Sequence, residues 1–384
     1  MTIDRAINFD DLRRAAKRRV PRVVFDFAEG GLEDEQGLAR NETAFHHHRL
    51  VPRYLVDVAK RDQSTSLFGR RYASPFGIAP TGLAGLFRPG ADLMLAEAAA
   101  AANIPYIMSG ASNATIEAAA RIAPDHTWYQ LYAARAPKVT EDLIRRAREA
   151  GLSTLVLTVD VPIGSKRERN IRNGFIRPYK LKPTIVLEAL RHPGWIANYL
   201  RHGGMPVFGN WAPYARPGAG ANEVADFLSS QTPFPGQTWR DFETYRRLWP
   251  RTLIIKGIMH RDDAVRAAEL GADGIMISNH GGRQLDRAPS PLEVLPAIKA
   301  AVGDKLTLML DSGVRRGADV VIARCLGARF IFVGRATLYG TAAAGLAGAR
   351  RAIDILRGEI DLVLAQMGCP VFDELGPAWL MDEG

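Results

Sequence analysis

Along the chain, short runs of β-branched and aromatic residues alternate with Ala/Arg/Glu-rich stretches whose apolar positions recur at helical spacing. The runs predict eight strands: "FGIAP" (76–80), "YIMS" (106–109), "WYQLY" (128–132), "TLVLTVD" (154–160), "TLIIKG" (252–257), "GIMIS" (274–278), "LTLMLD" (306–311) and "RFIFVG" (329–334). Between them, "DLMLAEAAAAAN", "TEDLIRRAREAG", "RDDAVRAAELGA" and "RRGADVVIARCLGA" open near Asp, Thr or Arg and close near Gly or Asn, as helices do. Successive β–α units of this kind predict an α/β fold, a TIM (β/α)8 barrel with parallel strands inside and helices outside. A doubly wound sheet would fit the same alternation, but no G-x-G-x-x-G follows the first strand. The stretch "GAGANE" (218–223) lacks both the third glycine and a preceding strand, and reads as a loop.

The chain reads as one domain over residues 1–384, with two segments outside the barrel pattern. Residues 1–70 hold a basic helix and the acidic turn "EGGLEDEQG", and are expected to form a lid over the base or rim. Residues 177–240 form a long insertion after strand four, rich in Pro, Gly and Trp. A connection this long is expected to be functional or mobile.

The ends of the runs carry the chemistry. In order they are Thr81 and Gly82; Ser109; Gln130 and Tyr132; Thr158 and Asp160; Lys256; Ser278 and His280; Asp311 and Gly313; Gly334 and Arg335. In a barrel all of these reach the C-terminal face, where barrel active sites lie. Arg315 and Arg335, with glycine-rich backbone after strands seven and eight, sit where barrels hold phosphate. Lys256 can pair with Asp311, form a Schiff base, or stabilise negative charge on a bound ring. His280 with Asp160 makes an oriented base, and Arg283 with Arg167 offers a fork for a carboxylate, joined by the Tyr132 hydroxyl. Together they describe proton abstraction from a hydroxy acid beside a phosphorylated flavin.

Composition narrows the classes. Hydrophobic residues make up 47% of the 384, enough for a large core. The two cysteines, Cys325 and Cys369, build neither a disulfide framework nor a thiolate metal site. No secretory signal is read at the N-terminus, and no apolar run is long enough to span a membrane. The formal charge of +9 is spread along the chain without an aromatic-interleaved basic block. That disfavours nucleic acid and leaves a solubilising surface, anionic ligands or an anionic membrane as its meaning. The tract His46–His48 reads as surface, and no metal is expected.

The motif "SNHGGRQLD" (278–286), with "APTG", "QLY", "LTVDVP", "LIIKG", "DSGVRRG" and "GRATLYG" in order, resembles the FMN-dependent α-hydroxy-acid oxidase and dehydrogenase family over essentially the whole chain. The resemblance implies FMN and oxidation of an L-2-hydroxy acid to the 2-oxo acid, with mandelate-oxidising members the most similar. It implies that His280 takes the substrate proton, supported by Asp160, while Arg167, Arg283 and Tyr132 hold the carboxylate. Lys256 would sit at the flavin N1–O2 edge. Ser109, Gln130, Thr158 and Ser278 would contact the ring system, and Pro80, Thr81 and Gly82 would line its N5 side. Asp311, Gly313, Arg315, Gly334 and Arg335 would bind the phosphate arm.

Phe27 departs from the pattern, standing where the family has a tyrosine that touches the carboxylate; the missing charge-assisted hydrogen bond is worth roughly 1.5–3 kcal/mol. Ala111 replaces a bulky tryptophan, and Gly82 and Gly164 are expected to add room, favouring a mandelate-like aryl acid. A lactate dehydrogenase or an oxygen-using oxidase of the same family stays open, as does a Schiff-base aldolase built on Lys256. The resemblance further implies a quinone or other electron acceptor and a homotetramer. The insertion implies peripheral association with the cytoplasmic face of the inner membrane, through Trp195, Trp211, Tyr199 and Phe208 beside Arg191, Arg201 and Arg216. An active-site lid is the alternative reading of that segment.

Overall fold

The computed structural model describes residues 3–175 and 183–381, so the start of the 177–240 insertion lies outside the described residues. Eight parallel strands close into a barrel: β1 (Phe76–Ile78), β2 (Tyr106–Met108), β3 (Thr127–Leu131), β4 (Thr154–Thr158), β5 (Thr252–Ile258), β6 (Gly274–Ile277), β7 (Thr307–Leu310) and β8 (Phe330–Val333). Each pairs with its neighbour in chain order, and β8 pairs with β1 to close the ring. Helices such as Ala91–Ala101, Pro137–Glu149, Arg261–Glu269 and Gly317–Cys325 follow strands and pack outside. The strands are buried on both faces, which is why they read as apolar runs instead of alternating patterns.

The barrel interior is a packed core, not a channel. Ile107, Trp128, Val156, Ile254, Met276, Met309, Phe330 and Phe332 fill it. Its base is plugged by a hairpin of Thr65–Leu67 and Arg70–Tyr72. Phe68 at the hairpin tip meets Trp128 at 6.0 Å between centroids, and Trp128 meets Phe332 at 5.5 Å. Aromatic packing thus seals the base and leaves the C-terminal end as the open one.

The N-terminal segment touches both ends. Upstream of the basal hairpin, α1 (Phe9–Arg19) is capped by Asn8, whose side chain accepts from Asp11 N at 2.9 Å, and packs on the C-terminal helical segment Arg335–Met367, which kinks at Ala344 and Gly345. Helix α2 (Arg22–Glu29) instead delivers Phe27 and Ala28 to the rim. The insertion is likewise divided. Helices Pro183–Leu190 and Pro193–Arg201 carry no fully buried side chain among those described, whereas Phe208, Trp211, Val224 and Leu228 belong to the core.

Because Trp128 bridges hairpin and barrel, Trp128→Ala should lower unfolding stability by about 3–5 kcal/mol. Urea unfolding of the purified protein reads this directly, and a loss below about 1 kcal/mol would show that the plug carries little of the core.

Candidate active site

The base is built at the end of β6. The chain turns into left-handed backbone at His280 (φ 58°), followed by Gly281 and Gly282, which share that conformation. The histidine thereby lines the cavity, at a backbone strain of about 1–3 kcal/mol that such sites hold through surrounding contacts. His280 N donates to Ser278 Oγ at 3.1 Å. His280 Nδ1 lies 2.9 Å from Asp160 Oδ1, which orients the ring and leaves Nε2 towards the cavity, 3.5 Å from the Tyr132 hydroxyl. Burial lowers the His280 pKa, as do Lys256 and Arg167, while Asp160 raises it; the balance falls below the ordinary value. The ring is therefore neutral near pH 7 and able to accept a proton.

Lys256, at the end of β5, is 3% exposed. Its Nζ donates to Ser278 Oγ at 2.6 Å and lies 3.2 Å from Asp311 Oδ2 and 3.7 Å from Asp160 Oδ2. Burial alone would lower its pKa, but Asp311 and Asp160 outweigh this and hold it above the ordinary lysine value. Asp160 shows the converse: burial raises it, while His280 and Lys256 outweigh burial and keep it ionised. The close approach of the two elements depends on Gly257, at a bulge in β5 with φ 108°; a Cβ there would lie 2.5 Å from Asp160 Cβ.

The opposite wall is cationic. Arg283 Nη1 donates to the carbonyls of Gly30 (2.7 Å) and Ala28 (3.3 Å), and its guanidinium lies 5.4 Å from the centroid of Phe27. Arg167 Nη2 donates to Gln284 Oε1 at 3.3 Å, while its buried Nε has no hydrogen-bond partner among the described residues. Burial depresses the Arg283 pKa most, followed by Arg167 and Arg335. Three guanidinium groups so placed favour an anion among them. Burial pushes Tyr132 up to about 12, so its hydroxyl stays protonated.

Further along, Gly313, Gly334, Arg315 and Arg335 line the same cavity. Arg335 donates to Ala28 O (2.8 Å), Gly281 O (3.0 Å) and Gly30 O (3.2 Å), and Arg315 pairs with Glu42 at 2.9 Å. Pro80, Thr81, Gly82, Ala111 and Thr158 belong to the same wall. Thr81 Oγ1, Thr158 Oγ1 and Gln130 Nε2 are buried polar atoms without a partner among the described residues. Gln130 Oε1, by contrast, accepts from Gly110 N at 3.0 Å and pairs with Ser109 Oγ at 3.3 Å. Orphaned polar groups are rare in native interiors; these suit the polar edges of a bound heterocycle, and the glycine-arginine end suits a phosphate.

The chain matches the FMN-dependent dehydrogenase family over residues 16–382. It belongs to that family. FMN is the cofactor of the family, and the orphaned groups and cationic end are the features of this cavity that fit it. The chain is 40% identical to (S)-mandelate dehydrogenase of Pseudomonas putida, covering 98% of this chain and 94% of the relative. It is 39% identical to L-lactate dehydrogenase of Caulobacter vibrioides, covering 93% of both. A crystal structure of the monotopic membrane protein (S)-mandelate dehydrogenase superposes with a TM-score of 0.95, at 40% identity, covering 99% of this chain and 100% of that one.

Most of the expected residues line one cavity. Ser109, Ser278 and Asp160 stand behind it, in contact with residues that line it, and Gln130 stands behind Ser109. Asp311 lies against Lys256 as well as lining the cavity, so it neutralises charge there. Gly164 is a correction: it does not line the cavity, and a Cβ there would meet nothing within 4 Å, so it adds no room. The sequence reading missed Leu83, Phe208 and Leu338 in the wall. It also missed the reciprocal amide pair Asn41–Asn279 (2.8 and 2.6 Å), which ties the N-terminal segment to the histidine loop. The sequence reading places Phe208 among the membrane-facing aromatics, and no local pattern marks it as a wall residue.

With neutral His280 required, the acid limb of kcat/KM should fall at a pH below the ordinary histidine value of about 6.5. Asp160→Asn should move the limb lower still, because it removes the carboxylate that raises His280, and should reduce kcat. His280→Gln should cost about 10²–10⁴-fold in kcat. A limb above 6.5, or one unmoved in Asp160→Asn, would contradict the His280–Asp160 assignment.

Proposed function

We propose that the protein oxidises an L-2-hydroxy acid of the mandelate type to its 2-oxo acid and passes the electrons to a quinone or another acceptor. The observation that carries this reading is the arrangement of one neutral base, His280 with Asp160, facing the same cavity as Arg167 and Arg283. The carbinol loses two electrons and two protons. FMN, when bound, would accept the two electrons and the second proton that leaves with them. His280 Nε2 receives one proton, and Asp160 stabilises the imidazolium that results. Arg283 and Arg167, with the Tyr132 hydroxyl, hold the carboxylate and fix the carbinol against the base. Lys256, held protonated, offers positive charge to a cofactor edge that gains electron density.

That same protonation weighs against the Schiff-base alternative, which needs a lysine with depressed pKa. The aryl preference follows from Ala111 and Gly82, which leave space beside Leu83 and Phe208; a Cβ on Gly82 would sit 3.3 Å from Ala111 Cβ. A short acid such as lactate would forgo about 0.8 kcal/mol per methylene left unburied.

Peripheral membrane association through the insertion, on the cytoplasmic face of the inner membrane, belongs to the same proposal. Among the described residues no helix is long and apolar enough to cross a membrane. Helices Pro183–Leu190 and Pro193–Arg201 instead expose Val186, Leu187, Leu190 and Leu200 beside Arg191 and Arg201. The aromatic anchors expected from the sequence are corrected here: Trp211 and Phe208 are buried, and Trp195 stacks on Tyr199 at 4.8 Å while donating to Leu86 O. Aliphatic side chains supply the apolar face. A homotetramer completes the reading, with exposed Val51, Tyr54, Leu55 and Val56 offering apolar surface for contacts between copies.

Ala111→Trp should shift kcat/KM towards lactate and away from mandelate; equal losses on both would refute the pocket assignment. Leu187→Glu combined with Leu190→Glu should move the protein from the membrane pellet to the supernatant while turnover with a soluble artificial acceptor persists. A wild-type protein found wholly in the supernatant would end the membrane proposal.

A further inference from the structure

The insertion is sewn to the loops that wall the cavity, and the stitching converges on Asn113. This residue follows Ala111 by two positions in the loop after β2. Its Oδ1 accepts from Gly85 N at 2.9 Å, in the short helix Ala84–Phe87 that directly follows Gly82 and Leu83 after β1. Its Nδ2 donates to Val207 O at 3.0 Å, in the insertion. Its own backbone N–H donates to buried Asp92 at 2.9 Å. One side-chain amide therefore bridges two cavity loops and the insertion, using its acceptor on one and its donor on the other.

Residues 207–211, "VFGNW", are held at neighbouring points. Asn210 Oδ1 accepts from Ile116 N at 2.9 Å, and Trp211 Nε1 donates to Gly110 O at 2.7 Å. A Cβ on Gly209 would come within 2.7 Å of Asn113 O, so the two backbones lie in direct contact. Between these fixed points stands Phe208, 4% exposed, in the cavity wall with Leu83 and Ala111.

We propose that Asn113 is a positioning residue that sets the width of the aryl side of the cavity by holding Phe208 of the insertion against the loops after β1 and β2. Part of the substrate specificity then resides in an insertion whose preceding helices face outward. The proposal rests on the hydroxy-acid reading given above, and it assigns part of the choice between bulky and short acids to the Asn113 hydrogen bonds, which lie outside the cavity lining.

The test is a double-mutant cycle on the flavin-loaded enzyme, reading the ratio of kcat/KM for (S)-mandelate to that for L-lactate. Asn113→Ala and Phe208→Ala should each lower the ratio about tenfold, with the Asn113→Ala loss residing in KM for mandelate. The double variant should fall no further than Phe208→Ala, because both changes release the same wall. Trp211→Phe, which removes the indole N–H while keeping an aromatic ring, should lower the ratio in the same direction by a smaller factor. It carries the test if Asn113→Ala does not fold. Multiplicative losses in the double variant, or an unchanged ratio in the folded variants, would overturn the proposal. A wild-type preference for lactate would instead remove the aryl reading, while non-additivity would still decide the role of Asn113.

Discussion

A buried ammonium between two carboxylates is the constraint on which the site depends. Lys256 cannot remain charged in the barrel mouth alone, since an uncompensated buried ion costs several kcal/mol. Asp311 and Asp160 provide the compensation, and Asp160 is shared with His280 on its other oxygen. This sharing lets one carboxylate serve two neighbours: it helps keep the lysine protonated, and it orients the imidazole and can stabilise its charged form. The bulge at Gly257 makes room for Asp160 within this cluster. Around it, Arg167, Arg283 and Arg335 remain available to an anion because their local partners are mostly backbone carbonyls and an amide oxygen, which leave the positive charge uncancelled.

The barrel was legible because a strand buried on both faces must be a continuous apolar run, and each run ends where the chain meets the rim. All eight strands fall within the stretches that the pattern marks, give or take one residue at their ends. His280, Asp160, Lys256 and the arginines were legible for the same reason: they follow those runs at once. What escaped was contact between distant segments. Asn41 meets Asn279 across 238 positions, and Arg283 finds the carbonyls of Ala28 and Gly30 from more than 250 away. No local pattern encodes such partners. Gly164 misled because a small residue near a motif suggests space, whereas its neighbours are solvent.

The two segments outside the barrel pattern turn out to complete its open end. The N-terminal segment supplies Phe27, the carbonyls that hold Arg283 and Arg335, and the Asn41 amide; the latter part of the insertion supplies Phe208. A rigid barrel thus fixes the reacting groups, and added segments fix what reaches them.

The central claim is that His280 acts on a substrate carbon held beside a flavin. It is tested most directly by the visible spectrum of the purified protein mixed anaerobically with (S)-mandelate. The oxidised flavin band should bleach in the wild type and persist in a His280→Gln variant that still binds the flavin. A protein that binds no flavin, or bleaching at the same rate without His280, would contradict the account.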